Sequence, residues 1–301
     1  MTRPRSDNPV LRKPFVTGGG GQLGSAFAAL LGRDVVAVRR QVDVTDTSAV
    51  ARVLDDRQVS LIINCAAFTG VDAAEQRPEA AHAVNATAVA GLTQLARERQ
   101  IPLVTFSTDY VFDGEADVPY TETDTPDPMN AYGRSKLAGE RAALGYSSSL
   151  VIRSSWLVSG NRPNFVATML DLVSAARPVR VVDDQHGSPT IAVDLARQTL
   201  RAVDRGVTGL LHVTNRGATT WFRLAVTAVE LAGLDRSLVS PCTTQEYPTR
   251  AHRPRYSVLA SERDLGLEPM RSWEEALPQV VAELRSTRRA AGSAAPDHRA
   301  P

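Results

Sequence analysis

Short apolar runs alternate with longer stretches of helical periodicity through the first half of the chain. Phe15-Val16-Thr17 ends a strand-like run and enters Gly18-Gly19-Gly20-Gly21-Gln22-Leu23-Gly24, after which Ser25 to Leu31 reads as helix. Residues 34–38 (DVVAV) form a second apolar strand, and residues 49–57 a helix. Leu61 to Asn64 is a third strand, leading into Cys65-Ala66-Ala67. Residues 73–99 carry helical signals throughout, in two pieces broken near Pro78. Residues 103–107 make a fourth strand, 131–144 a helix and 150–152 a fifth strand. Strands covered on both faces read as unbroken apolar runs, whereas surface helices repeat every three to four residues. The alternation predicts an α/β fold, a parallel doubly wound sheet with helices on both faces and right-handed crossovers.

Beyond about residue 160 the rhythm loosens. Helices are expected at 164–175, 191–203, 221–232 and 273–285, with short strands at 180–182 and 210–213. Residues 183–190 (DDQHGSPT) read as a loop. Residues 241–258, rich in Pro, Thr and Arg, read as a loop that wraps a ligand or the main domain. This predicts a dinucleotide-type domain over 14–160 and a smaller C-terminal substrate-binding lobe over 161–285, partly integrated with it. Polar, low-complexity tails at 1–13 and 286–301 are expected to be disordered.

Composition narrows the function. Of the 301 residues 43% are hydrophobic, enough for a buried core, and the net charge is only +1. No broad field exists to draw nucleic acid or an anionic membrane, so phosphate recognition is expected to be local. No apolar run approaches the roughly 18 residues that span a bilayer, and residues 1–13 lack a signal-peptide apolar core; a cytoplasmic protein is expected. Cys65 and Cys242 show no metal or redox spacing and read as free thiols in a reducing compartment. All but two of the 34 basic residues are Arg, the exceptions being Lys13 and Lys136. A lysine retained at 136 points to a site that needs an amine rather than a guanidinium.

Gly18, Gly21 and Gly24 stand at G-x-x-G-x-x-G spacing between a strand and a helix. Glycine there permits a tight turn, lets backbone approach a pyrophosphate and packs helix against strand, while the helix N-terminus offers N–H groups to phosphate. The motif predicts a Rossmann-type dinucleotide site. At the end of the second strand Arg39-Arg40 stand where a 2′-phosphate would be read, which favours NADPH over NADH. The competing reading is two loop arginines in an Arg-rich chain. Asp43-Val44 would place a carboxylate near the adenine.

Tyr132-Gly133-Arg134-Ser135-Lys136 gives Y-x-x-x-K, which sets a phenol and an ammonium on one helix face. A neighbouring Lys⁺ is expected to pull the phenol down from about 10 towards neutrality, so that it donates a proton as hydride arrives at carbon. The bland alternative is a surface pair. Thr108 ends the fourth strand, at the sheet edge where α/β folds bind ligands. Its hydroxyl would orient a substrate carbonyl, or merely cap the turn before Tyr110.

These residues extend into longer stretches: GGGGQLG (18–24), NCAAFTGVDAAE (64–75), AVNATAV (83–89), STDYVFDG (107–114) and NAYGRSKLAGE (130–140). RSSW (153–156), NFVATML (164–170), DDQHGSPT (183–190), EYPTRAHRP (246–254) and SWEEAL (272–277) continue the series. Over about residues 15–284 the chain resembles the dTDP-4-dehydrorhamnose reductase family of extended short-chain dehydrogenase/reductases. The resemblance implies reduction of the C4 ketone of dTDP-4-dehydro-L-rhamnose by NADPH or NADH to dTDP-L-rhamnose. It implies Thr108, Tyr132 and Lys136 as catalytic residues, with Tyr132 the proton donor and Lys136 also holding the nicotinamide ribose. Gly21, Gln22 and Leu23 then match the pyrophosphate loop. Arg39, Asp43, Val44, Ala66, Ala67, Phe68 and Thr69 match cofactor contacts, and Asp109 and Trp156 substrate contacts. Trp156 would form a flat wall to the sugar; its bland alternative is a core tryptophan, and that of Asp109 a turn residue. Some family members use Mg²⁺, but no cluster here marks its site. A monomer or homodimer is expected.

The chain departs from the family pattern at Cys65, Phe68 and Gly70, at Val158-Ser159 and at Tyr256, all where the sugar is expected. These changes leave open a 4-ketoreductase for another dTDP-4-keto-6-deoxysugar. An epimerase or dehydratase of the same fold is disfavoured, because Tyr110 stands where dehydratases carry a second acid. A non-catalytic NADP-binding regulator is disfavoured by the intact Tyr132 and Lys136.

Overall fold

The computed structural model describes residues 8–32 and 41–293. Arg39, Arg40 and the strand expected at 34–38 lie outside them. A 3-10 turn (Pro9–Leu11) precedes β1 (Pro14–Thr17), α1 (Gln22–Leu31), α2 (Thr47–Asp56), β2 (Leu61–Asn64), α3 (Val71–Gln76) and α4 (Pro78–His82). A five-residue π-helical turn (Ala83–Thr87) follows, then α5 (Ala88–Glu98), β3 (Leu103–Thr108), α6 (Ala131–Leu144) and β4 (Ser149–Ser154). The expected break near Pro78 is the α3–α4 junction, where proline occupies the first helical position because its missing N–H costs nothing there. Helix α1 starts three residues earlier than expected, at Gln22, inside the glycine-rich stretch.

Next come β5 (Leu157–Val158), α7 (Phe165–Ser174), β6 (Val179–Val182), β7 (His186–Gly187), β8 (Thr190–Ile191) and α8 (Ala192–Asp204). The chain then forms β9 (Gly209–His212), β10 (Thr219–Thr220), α9 (Trp221–Leu231), β11 (Val239–Cys242) and α10 (Trp273–Ser293). Helix α10 runs past the expected end at 285, through Arg- and Ala-rich sequence of high helix propensity.

Strands β1, β2, β3, β4 and β9 form one parallel sheet in that order. Their side chains alternate between its faces with the period of two that a strand imposes. Val16, Ile63, Val104 and Ile152 pack with Phe27 of α1 and Leu195 of α8. Phe15, Ile62, Leu103 and Val151 pack with Leu54 of α2 and Leu92 of α5. The doubly wound parallel sheet read from the sequence is therefore the observed one. A third apolar cluster is built from α7, α9 and α10 with Trp156, Val158 and Ile191. Three two-stranded ladders accompany it: β5 with β8, β6 with β11, and β7 with β10.

A buried ion pair fixes α6 against the sheet. Arg153 of β4 and Glu140 of α6 are 2% and 3% exposed, with Arg153 Nε 3.0 Å from Glu140 Oε2 and a second contact from Nη2 to Oε1. The guanidinium lies 4.9 Å from the centre of the Phe112 ring, and its Nη1 is 3.3 Å from His212 Nε2. His212 Nδ1 faces two carbonyl oxygens, those of Tyr120 and Ala260, so the imidazole hydrogen belongs there and Nε2 accepts from Arg153. Glu140 lies one turn from Lys136, and this anchoring thus sets the helix that carries Tyr132 and Lys136.

Candidate active site

A cavity of about 670 Å³ opens at the C-terminal ends of β1 to β4. One wall is the β1–α1 turn. Gly18 has φ +69°, and a Cβ there would lie 2.5 Å from backbone of Cys65 and Ala66. A Cβ at Gly24 would lie 2.3 Å from the Gly18 carbonyl oxygen, so glycine at both positions lets helix, turn and β2 close together. At Gly20 a Cβ would meet nothing, and this open face belongs to the cavity. The first N–H groups of α1 have no intrahelical partner and carry the positive end of its dipole.

Most of the residues anticipated from sequence line this one cavity. They are Gly18, Gly21, Gln22 and Leu23, then Asp43 and Val44, then Ala66 to Thr69, together with Thr108, Asp109, Tyr132, Lys136 and Trp156. Gly24 packs beneath the turn rather than lining it. Two further hydroxyls line the wall: Ser107 and Ser154, on adjacent strands, have buried Oγ atoms without a hydrogen-bond partner among the described residues. Orphaned hydroxyls in the same cavity as an open glycine face fit a polar, phosphate-bearing ligand such as a dinucleotide.

Tyr132 occupies the first turn of α6, whose N-cap Asn130 accepts from Gly133 N at 2.8 Å. Gly133 is required by contact, because a Cβ there would lie 2.0 Å from the Tyr110 carbonyl oxygen. That closeness sets α6 against the turn Asp109–Val111 and brings the Tyr110 and Tyr132 rings edge to face at 6.2 Å. Lys136, 7% exposed, donates from Nζ to the Phe106 carbonyl oxygen at 2.5 Å. Burial pulls its ammonium down to about 8, with Glu140 and Cys65 opposing. Burial pushes the Cys65 thiol up, well clear of thiolate formation at neutral pH.

The expected lowering of Tyr132 by Lys136 is not what the structure shows. Burial, reinforced by the Asp109 carboxylate, pushes the phenol up to about 12, and the opposing pull comes from the Thr108 hydroxyl. The ammonium is engaged by a main-chain carbonyl, whereas the Asp109 charge acts on the phenol. Thr108 does cap the following turn, accepting from Tyr110 N at 3.1 Å, and its hydrogen goes to Asp109 Oδ1 at 2.9 Å. Asp109 is 2% exposed and burial lifts its carboxyl to about 6, against hydrogen bonds from Ser257 and Thr108. It is no plain turn residue. Trp156 lines the cavity and is also 8% exposed, with its ring stacked 3.6 Å from that of Trp221.

Sequence reasoning missed several participants. Ser257 Oγ donates to Asp109 Oδ2 at 2.6 Å. It comes from the segment after β11, which crosses onto the main sheet's helices: Arg253 Nη2 and Ala251 N donate to Asp72 of α3 at 2.7 and 2.9 Å. Asn130 Nδ2 holds the same segment through the His252 carbonyl at 2.9 Å. The Arg253 guanidinium keeps the Asp72 carboxyl below the usual range. Asn85, in the π-helical turn, accepts from Phe68 N at 2.9 Å and donates to Phe68 O and Ser135 Oγ at 3.0 and 2.9 Å. It ties the cavity wall to the helix of Tyr132 and Lys136. The signal for Asn85 lay in the AVNATAV stretch; none in the sequence marked Ser257.

The family model for the RmlD substrate binding domain matches residues 12–286. The chain is 42% identical over 285 residues to a dTDP-4-dehydrorhamnose reductase of Mycolicibacterium smegmatis, covering 91% of this chain and 86% of that protein. The chain belongs to the dTDP-4-dehydrorhamnose reductase family. A dTDP-4-keto-6-deoxy-D-glucose reductase of Streptomyces niveus, 41% identical over 90% of this chain and 97% of its own length, is as similar as the rhamnose-named member. Among solved structures, a dTDP-4-dehydrorhamnose reductase of Bacillus anthracis in complex with NADP aligns with TM-score 0.86 and 34% identity. That alignment covers 90% of this chain and 98% of that one. Of the positions that depart from the pattern expected for the reductase family, Cys65 and Phe68 line the cavity. Gly70 instead caps α3, Val158 and Ser159 are buried outside the lining, and Tyr256 lies off this cavity. No helix among the described residues is long and apolar enough to cross a membrane. Among the same residues no group of three or more His, Cys, Asp or Glu side chains is placed to hold a metal ion.

Proposed function

We propose that this reductase uses NADPH to reduce the C4 ketone of a dTDP-4-dehydro-6-deoxyhexose, converting dTDP-4-dehydro-L-rhamnose to dTDP-L-rhamnose. The observation that carries the reading is convergence: Thr108, Tyr132 and Lys136 open onto the same cavity as the glycine cradle, in a member of a reductase family. The NADP complex of a structural neighbour supports the choice of cofactor. When bound, the dinucleotide would supply hydride to the C4 carbon.

The chain's own residues then handle the oxygen. Tyr132, held protonated by its buried setting, gives its proton to the C4 oxygen as negative charge develops there. An alkoxide is a far stronger base than a phenolate, so transfer runs toward the sugar even from a phenol at about 12. Lys136, cationic below about pH 8, gives one ammonium hydrogen to the Phe106 carbonyl and holds the nicotinamide ribose with the others. Thr108 orients the C4 oxygen once its hydroxyl turns from Asp109. Asp109 and Trp156 bound the sugar, and Gly21, Gln22 and Leu23 hold the pyrophosphate.

The similarity to the Streptomyces niveus enzyme, equal to that for the rhamnose-named relatives, favours one second reading: reduction of a different dTDP-4-keto-6-deoxysugar. Cys65 and Phe68 in the cavity wall are the residues through which such a change of sugar would be expressed. The test is NADPH oxidation with a panel of dTDP-4-keto-6-deoxysugars made in situ, with products identified by NMR. Turnover of dTDP-4-dehydro-L-rhamnose to dTDP-L-rhamnose supports the first reading. Turnover confined to another sugar selects the second, and no oxidation with any of them removes both.

A further inference from the structure

We propose that Arg162 clamps the diphosphate of the dinucleotide, linking the loop between β5 and α7 to the phosphate cradle; the proposal rests on the cofactor reading above. Among the described residues lining the cavity the cations are Lys136 and Arg162. Lys136 lies at the catalytic end, donating to the Phe106 carbonyl. The Arg162 guanidinium has no hydrogen bond or ion pair among the described residues and belongs to the exposed rim.

The loop that carries it is fastened to the cradle. Gln22 Nε2, in the first turn of α1, donates to the Leu157 carbonyl at 3.1 Å, and Ser25 Oγ, whose hydrogen has the Gln22 carbonyl at 2.8 Å, lies 3.3 Å from Asn161 Oδ1. From the other side Asn164, the N-cap of α7, donates to the carbonyls of Ser159 and Arg162 at 2.7 and 2.8 Å. Pro163 follows Arg162 and biases its backbone toward an extended conformation. Arg162 is therefore presented by a loop held at both ends, against the helix terminus where phosphate is expected.

Electrostatics supplies the need. A dinucleotide diphosphate carries two negative charges. The N-terminus of α1 offers the equivalent of roughly half a positive charge, and its first turn contains no basic side chain. A planar guanidinium at the rim supplies the missing charge and pairs two donors with phosphate oxygens.

The test measures binding to the protein without sugar substrate, by fluorescence titration with NADPH, ADP-ribose, 2′-AMP and dTDP. Wild type must bind NADPH, or the cofactor reading itself fails. With that met, Arg162→Gln should weaken NADPH and ADP-ribose about tenfold, an effect that shrinks at high salt because the rim is exposed. Binding of 2′-AMP, which lacks a diphosphate, and of dTDP should be unchanged, and Arg162→Lys should retain most of the affinity. Unchanged NADPH affinity in Arg162→Gln overturns the proposal. So does a loss confined to dTDP, which would assign the guanidinium to the sugar nucleotide.

Discussion

Asp109→Asn should stabilise this protein at neutral pH while impairing it as a reductase. Asp109 is 2% exposed and its carboxyl is lifted from 3.8 to about 6. Between those values the folded state holds a proton that the unfolded chain has released. Stability from this group is therefore greatest below pH 4 and is lost as pH rises through 6. At about 1.4 kcal/mol per unit, two units make the penalty about 3 kcal/mol above pH 7, of which roughly half is present at pH 5. Asparagine never ionises and avoids it. The hydrogen bonds survive: the Thr108 hydroxyl still donates to Oδ1, while the new amide donates to Ser257 Oγ, whose hydrogen turns to the His186 carbonyl 3.4 Å away. Urea unfolding followed by tryptophan fluorescence at pH 5 and 7.5 reads the effect. The variant should gain up to about 3 kcal/mol at pH 7.5 and about half that at pH 5. A variant no more stable than wild type, or one with the same gain at both pH values, would show that Asp109 is not a strained carboxylate.

Two further predictions concern the supports of the site. Glu140→Ala leaves Arg153, 2% exposed, without its counter-charge and should cost about 3–5 kcal/mol in urea unfolding; Glu140→Gln, which keeps the shape, should cost less. Asn85→Ala removes three hydrogen bonds that join Phe68 to Ser135. It should cost on the order of 2–4 kcal/mol, and the loosened Phe68 wall should raise the KM for sugar more than that for NADPH; an equal rise in both would contradict that assignment.

The parallel sheet was legible because each strand is an unbroken apolar run covered on both faces, and the helices between them keep their own period. Tyr132 and Lys136 were legible because one helical turn separates them, and Thr108 because it ends a strand. What escaped depended on distant chain. Ser257 and Arg162 lie in irregular segments whose position is set by contacts with α1, α3 and α6, and local pattern carries none of that information. Asn85 hides in a helical signal that does not distinguish a π turn from an α turn. The direction of the Tyr132 shift was misjudged because spacing places Lys136 nearby but reveals neither burial nor the carboxylate of Asp109.

The central claim is that Tyr132 delivers the proton that completes ketone reduction. The most direct measurement compares Tyr132→Phe with wild type in two assays: NADPH binding by fluorescence, and single-turnover NADPH oxidation with dTDP-4-dehydro-L-rhamnose. Near-normal cofactor binding with turnover reduced by 10²-fold or more, the scale of a lost general acid, is the predicted result. Turnover within a few-fold of wild type would contradict the account and assign the proton to another group.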